Sequence, residues 1–362
     1  ITDMQSHQRP LLRTFAVGIA LCMALGTASC SSGETEPSQP SAETTNGQTS
    51  PIEVVASINQ WGSVAEQIGG SHVKVTSVLS STTEDAHGFE PKTKDVDALG
   101  KAQVIVSNGA GYDSWATKSP RKNVVSVSAA QMVGAVEGDN PHLWFSSDAR
   151  NAMAKELADT YSRIMPKQRK YFAARLKAWN KRESKLEKDM EKSSESFKNI
   201  SYASTEPVAY YLFSDIGLTD KTPTGYSQST ADGSQPSSKN LQEFQKLLED
   251  HDVGFLVNNT QETSDATNIL TGTARKSDLP VIDVTEQMPD GCKDLIEWTT
   301  RLITALDEEL AKDKSGTTDT TNKTDSDTQP SDSESGSGSK SDSGSATDDA
   351  APDNTGQTDP GK

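Results

Sequence analysis

The chain has 362 residues, a formal net charge of −17 and 32% hydrophobic residues, a low apolar share for one globule of that length. So acidic a balance excludes nucleic acid as a partner, because phosphate binding needs basic patches. Three cysteines, Cys22, Cys30 and Cys292, offer neither a disulfide framework nor a thiolate metal cluster.

In chain order, the first feature is "RPLLRTFAVGIALCMALGTASCSS", with Arg9 and Arg13 ahead of an apolar run from Phe15 to Leu25. The run is short for a bilayer span and has the order of an export signal. Small residues ending at Cys30 predict a lipoprotein signal over 1–29, cleaved before Cys30, whose thiol takes the lipid. Ordinary secretion is the alternative. Residues 30–51 are rich in Ser, Thr, Glu, Pro and Gln and are expected to act as a tether.

A first α/β lobe is expected over 52–146. "EVVASI" reads as a buried strand, "NQWGSVAEQIGG" as a helix stopped by glycines, and "HVKVTSVL" as an alternating strand. "TKDVDALGKA" has helical spacing, while "QVIVSNG" and "NVVSVS" are short strands. Strands alternating with helices imply parallel sheets. From Ser147 to Phe197 there is no glycine and a single proline, Pro166. Apolar residues recur there at helical intervals, which predicts a connecting helix over 147–198, or two helices broken at Pro166.

Alternation resumes over 199–312 with "ISYAS", "EPVAYYLFSDIG", "NLQEFQKLLEDHD", "VGFLVN", "SDATNILTGTARKS" and "LPVIDV", closed by the helix "CKDLIEWTTRLITALDEELAK". The predicted fold is α/β, two lobes with mostly parallel sheets joined by a long connecting helix. Residues 313–362 hold eleven acids against four lysines and no aromatic, Leu, Ile, Val or Met. Such a segment cannot offset chain entropy by burial and reads as a disordered acidic tail.

The chain has five histidines: His7, His72, His87, His142 and His251. His7 lies in or before the export segment, and His72 is expected at the surface. His251 lies at a helix end, where an imidazolium suits the dipole. His87 and His142 fall in connections after sheet strands, where open α/β sheets bind ligands. His142 also has Pro141 before it and Leu143, Trp144 and Phe145 after it, enough to bury its surroundings.

Across residues 52 to 312 the sequence resembles the solute-binding lipoproteins of manganese and zinc ABC importers. "VVASINQWGSVAEQIGGSHVKVTSVL" is similar to that family's first strand, helix and second strand. "DAHGFEPKTKDV" looks like its Asp-Pro-His-x-[Tyr/Phe]-Glu-Pro loop, with Ala86 in place of the usual proline. "VIVSNGAGYDSW" resembles the next strand and loop. "NPHLWFSSDARNAMAKELADTY" resembles its Asn-Pro-His-x-Trp segment, with Ser146 where aspartate is commoner.

The resemblance implies a receptor, not an enzyme, that captures Mn²⁺ or Zn²⁺ between its lobes and delivers it to an ABC permease. It implies a monomer anchored by lipid outside the cytoplasm. It also implies a ligand set: His87, His142, Glu206 and an acid after the last strand. Glu286 is the favoured fourth ligand and Asp283 its alternative. Two neutral imidazoles and two carboxylates neutralise a divalent cation. Glutamate in place of a third histidine makes the set harder and suits Mn²⁺, although Zn²⁺ binds most such sites more tightly. The chain has no His-rich acidic loop of the kind many zinc receptors of the family carry. Asp85, Glu90 and Asp148 are candidates for orienting the histidines.

For Glu206 alone, an ordinary acid at a helix N-terminus is the competing role, and for Glu286 a solvated loop acid. Two other functions are open, a surface adhesin-like lipoprotein and a zinc-dependent hydrolase. The hydrolase reading lacks a His-Glu-x-x-His motif and an open coordination position.

Overall fold

In this computed structural model, residues 48–84, 86–118 and 122–316 are described. The export segment, Cys30, most of the tether, Asp85 and the tail past residue 316 lie outside the described residues.

The first lobe runs β1 (Ile52–Ile58), α1 (Asn59–Gly69), β2 (Val73–Leu79), α2 (Thr93–Lys101), β3 (Val104–Ser107), β4 (Val125–Ser128) and α3 (Ala129–Val133). Its strands are parallel, in the order β2-β1-β3-β4. The interior strands β1 and β3 are covered on both faces, so their sequences are mainly apolar, broken in β1 by Glu53 and Ser57. The edge strand β2 alternates half-buried with exposed residues over Val73–Thr76.

Two helices follow, α4 (Ser147–Ile164) and α5 (Arg169–Ser196), separated by Met165 and a 3₁₀ turn over Pro166–Gln168. Proline cannot donate to a helical ladder, so the break falls at Pro166. Tyr161 packs on Phe172, Arg150 meets Glu183 and Asn151 meets Glu187. Numbers fall along one helix as they rise along the other, so the pair is antiparallel. The segment is therefore a hairpin: α4 packs on α1 and α3, and α5 alone leads on to the second sheet.

The hairpin is fixed by a fully buried ion pair. Arg150 Nε and Nη2 donate to Glu183 Oε1 at 2.9 and 2.6 Å, and Arg150 Nη1 reaches the Trp144 carbonyl at 3.3 Å. Ser146 Oγ accepts from the Ala149 amide at 3.3 Å and caps α4. The serine standing where the family more often has aspartate thus keeps the capping role both residues perform.

The second lobe contains β5 (Ser201–Ser204), α6 (Tyr210–Asp215), β6 (Thr219–Asp220), α7 (Thr224–Ala231) and α8 (Ser238–Glu249). It continues with β7 (Phe255–Asn259), α9 (Asp265–Lys276), β8 (Val281–Val284) and α10 (Leu295–Gly316). Its parallel order β6-β5-β7-β8 repeats that of the first lobe. The helix expected over "EPVAYYLFSDIG" is shortened to α6, because Glu206 precedes Pro207 and is biased out of helical conformation. The sequence reading also missed β6 and α7, the first too short and the second too polar to show a period.

One apolar cluster runs from β1 and α1 through α4 and α5 to Tyr202, Phe213, Phe255 and α10. The lobes therefore share a core. Arg182 adds a bidentate bond to Asp294 at 2.7 and 2.8 Å, tying α5 to the start of α10. Sliding such packed helices far apart would open apolar surface, so any motion between lobes is small compared with a hinge on loose linkers.

Candidate metal centre

The site is built from loops that follow the carboxyl ends of the strands in both sheets, the position where open α/β sheets form their crevices. After β3, buried Asp113 organises a tight turn. It accepts from the Asn108 and Gly109 amides at 2.6 and 2.8 Å and from the Ser57 hydroxyl. Gly109 has φ +81°, and a Cβ there would lie 2.6 Å from the Ala130 methyl, so no other residue fits. Burial pushes the Asp113 carboxyl up, against the pull of these hydrogen bonds. The turn presents Tyr112 to the cleft. Asn108 extends the scaffold, accepting from Trp61 Nε1 at 3.0 Å and donating to the Pro141 carbonyl at 2.8 Å.

That last bond positions His142, which is 1% exposed. Asn140 Oδ1 accepts from the His142 backbone amide at 3.0 Å and from its ring Nδ1 at 2.7 Å. The backbone N–H identifies the Asn140 atom as oxygen, which can only accept, so Nδ1 carries the proton and Nε2 offers its lone pair. His142 Nε2 lies 3.3 Å from Glu206 Oε1 yet off hydrogen-bond geometry, and it is buried without a hydrogen-bond partner. A buried acceptor left so is costly unless something else occupies its direction.

Glu206 enters from the turn after β5, and Asn140 Nδ2 grips that turn through the Pro207 carbonyl at 2.9 Å. Glu206 Oε1 also stands 3.1 Å from Nε2 of His87, whose side chain is 51% exposed at the cleft mouth. Glu286, after β8, is fully buried, with Oε2 4.0 Å from His142 Nε2. The Tyr112 hydroxyl donates to Glu286 Oε2 at 2.6 Å and accepts from Gln287 Nε2 at 3.0 Å. Asn259, at the end of β7, donates from one amide to Glu206 Oε2 and, at 3.0 Å, to Glu286 Oε1. Gln261 Oε1 holds the Glu286 and Gln287 amides at 2.7 and 3.1 Å.

Burial alone would raise the Glu206 carboxyl. The His142 and His87 imidazoles, when the ring nitrogens facing it carry protons, outweigh that and hold it well below the usual carboxylate range. Burial pushes Glu286 up, and the neighbouring Glu206 charge adds to the rise. Tyr112 is raised well above its ordinary value by burial and by the Glu286 charge, so its hydroxyl remains a donor. Of the two carboxyls, Glu286 is therefore the one that holds a proton more readily.

Two overlapping groups have their ligand atoms within 4.8 Å of one another: His142, Glu206 and Glu286, all buried, and His87, Glu206 and Glu262, nearer the surface. Ligand bonds of about 2.1 Å place neighbouring tetrahedral ligands about 3.4 Å apart. The separations of 3.1, 3.3 and 4.0 Å bracket that spacing. Spacing, donor set and the unpartnered His142 nitrogen all fit a divalent cation.

The structure groups His142, Glu206 and Glu286 together, and places His87 beside Glu206 in a second group with Glu262. Asp283 points outward from the edge strand β8 and accepts from Asn258 Nδ2 at 2.8 Å. Asp148 and Glu90 are exposed, and the His142 ring is oriented by Asn140 instead. His72 is half-buried with its ring edge-on to Tyr171 at 4.6 Å, so it has a packing role in place of the expected surface one. Sequence reasoning missed Tyr112, Asn140, Asn259 and Glu262. The Asn-Pro-His and Asn-Asn runs were visible, but nothing in them indicated which amide would face a carboxylate.

Two α/β lobes with one strand order, sharing a core and meeting at a His/Glu cluster, define a two-lobe ligand-binding protein. The family model for ZnuA, zinc-uptake complex component A, periplasmic, matches residues 54–309, and the chain belongs to that family. FimA of Streptococcus parasanguinis, named a metal ABC transporter substrate-binding lipoprotein, is 26% identical over 208 residues. The match covers 52% of this chain and 63% of FimA, so the chain spans somewhat under two thirds of that relative's length. Among solved structures, the periplasmic zinc-binding protein TroA of Treponema pallidum aligns with a TM-score of 0.62 at 16% identity, covering 72% of this chain and 99% of TroA. FpvC of Pseudomonas aeruginosa, solved in complex with Mn²⁺, aligns with a TM-score of 0.60 at 19% identity, covering 73% and 99%. At these identities the two structures establish the fold.

Proposed function

We propose that the protein is an extracytoplasmic receptor that captures Mn²⁺ or Zn²⁺ between its lobes and delivers it to an ABC permease. His87, His142, Glu206 and Glu286 are the ligands in this reading. The supporting observation is His142 Nε2, buried, unpartnered and held by Asn140 in the tautomer that offers a lone pair toward two carboxylates. Two imidazoles and two carboxylates balance the charge of one divalent cation, and the carboxylates favour a harder ion than an all-imidazole set would. Relatives named for zinc, for manganese and for metal ABC transport support the same cargo. The lipoprotein relative supports an anchor at Cys30, with residues 31–51 as the tether.

The chain has no His-Glu-x-x-His motif to pair two zinc ligands with a general base, which favours a carrier over a hydrolase. Among the described residues no helix is long and apolar enough to cross a membrane. The test is titration calorimetry of chelator-treated protein with Mn²⁺ and Zn²⁺. One ion per chain is expected, with loss of binding in Glu206→Gln. Heats indistinguishable from dilution for both ions would overturn the reading.

A further inference from the structure

The three neighbouring strands β5, β7 and β8 of the second sheet each launch an acid from the loop past the carboxyl end. Glu206 follows β5 and Glu286 follows β8. Glu262 follows the strand between them, in the turn before α9. The four-ligand reading uses only the outer two. Glu262 nevertheless falls within 4.8 Å of both His87 and Glu206, in ligand atoms, and is half-buried.

The two groups sharing Glu206 differ in their access to water. His142, Glu206 and Glu286 are all buried. In the other group His87 is half exposed and Glu262 half-buried; His87, though not Glu262, also borders a cavity of about 620 Å³ lined by Phe89, Glu90, Tyr112, Trp115 and Lys118. Both His87 and Glu262 are more exposed than His142, which is the order of access expected for a cation arriving from solvent. Mn²⁺ and Zn²⁺ cannot lose a whole hydration shell at once without a large desolvation cost, so successive ligand exchange lowers the barrier. Glu206 belongs to both groups, its Oε1 lying 3.1 Å from His87 Nε2 and 3.3 Å from His142 Nε2, so one oxygen faces both positions.

We propose that Glu262 is a further metal ligand, completing with His87 and Glu206 an outer site through which a divalent cation reaches the buried set of His142, Glu206 and Glu286. The outer site keeps bound water and exchanges quickly, and the inner one sets the final affinity. The proposal rests on the metal-receptor reading of the same cleft, and its test separates the two.

The full chain, stripped of metal, is mixed with Mn²⁺ in a stopped-flow instrument. Trp144, whose ring lies 5.2 Å from that of His142, supplies the fluorescence signal. Glu262→Gln is expected to slow association about tenfold, within the range that local charge and ligand capture control. Glu262→Asp keeps the charge and shortens the reach, and it should slow association as well. Glu137→Gln removes an exposed charge from the loop before His142 and should stay within twofold of the unmodified protein. In a His142→Ala background, weak Mn²⁺ binding should persist and vanish when Glu262→Gln is added.

Association of Glu262→Gln within twofold of the unmodified protein would overturn the outer site. So would an equal slowing by Glu137→Gln, which would reduce the effect to general charge. An unmodified protein that fails to bind Mn²⁺ and Zn²⁺ at equilibrium defeats the receptor reading itself. Binding that is intact at equilibrium and indifferent to Glu262 defeats only the outer site.

Discussion

Replacing Asn259 with alanine isolates a feature that only the folded chain displays, one amide clamping two buried carboxylates. The change removes the bond to Glu206 Oε2 and the 3.0 Å bond to Glu286 Oε1. A hydrogen bond to a charged group contributes about 1.5–3 kcal/mol. The bond to Glu206, which stays ionised, counts in full. That to Glu286 counts less, since burial favours its protonated form. The metal-free protein should therefore lose roughly 2–4 kcal/mol. For a folded part of this size, that lowers the melting temperature by about 5–15 °C. A cation at a hundred times its dissociation constant returns about 2.7 kcal/mol, and it takes over the amide's task of separating two like charges. The metal-induced rise in melting temperature should hence be preserved in the variant even though its metal-free form melts early. Circular-dichroism melts in chelator and in excess Mn²⁺ measure both quantities. A metal-free variant melting within 1 °C of the unmodified protein would refute the clamp.

Tyr112→Phe removes the hydroxyl that holds Glu286 and should weaken Mn²⁺ binding about 10–100-fold, the usual cost of losing a group that orients a ligand; calorimetry measures it. Asp283→Asn should leave the affinity unchanged and Glu286→Gln should lower it more than Tyr112→Phe does, which decides between the two acids in the same titration. Lowering the pH from 7 to 5 should shrink the metal-induced shift in melting temperature. Glu286, raised by burial and by Glu206, takes up a proton as pH falls through its elevated value, and that proton must leave before the cation binds. For the metal-free protein the sign is opposite. A raised folded-state carboxyl binds its proton more tightly than the unfolded chain does, so this group's contribution to stability grows as pH falls across the same window. Melts at pH 5 and 7, with and without Mn²⁺, show both trends.

Most strands and helices of both lobes were legible because their local patterns carry them: mainly apolar runs for β1 and β3, alternation for β2, helical spacing through α4 and α5; the short β6 and α3 and the polar α7 were not. The break at Pro166 was legible too, since proline acts through its own backbone. Whether the two helices run on or fold back was not. Arg150 and Glu183 are far apart in sequence, and no local rule pairs them. His87 and His142 stood out through scarcity and motif, whereas Glu262 looks like any loop acid.

By itself, the sequence determined most of the segments that form strands and helices, where proline and glycine interrupt them, and which residue types are available to hold a cation. Tertiary structure alone decided that Asn140 sets the tautomer of His142 and that Asn259 and Glu262 both stand beside Glu206. The physical reason is distance along the chain. Periodicity and capping act over a few residues, whereas a ligand cluster is assembled by packing between elements separated by tens to hundreds of residues.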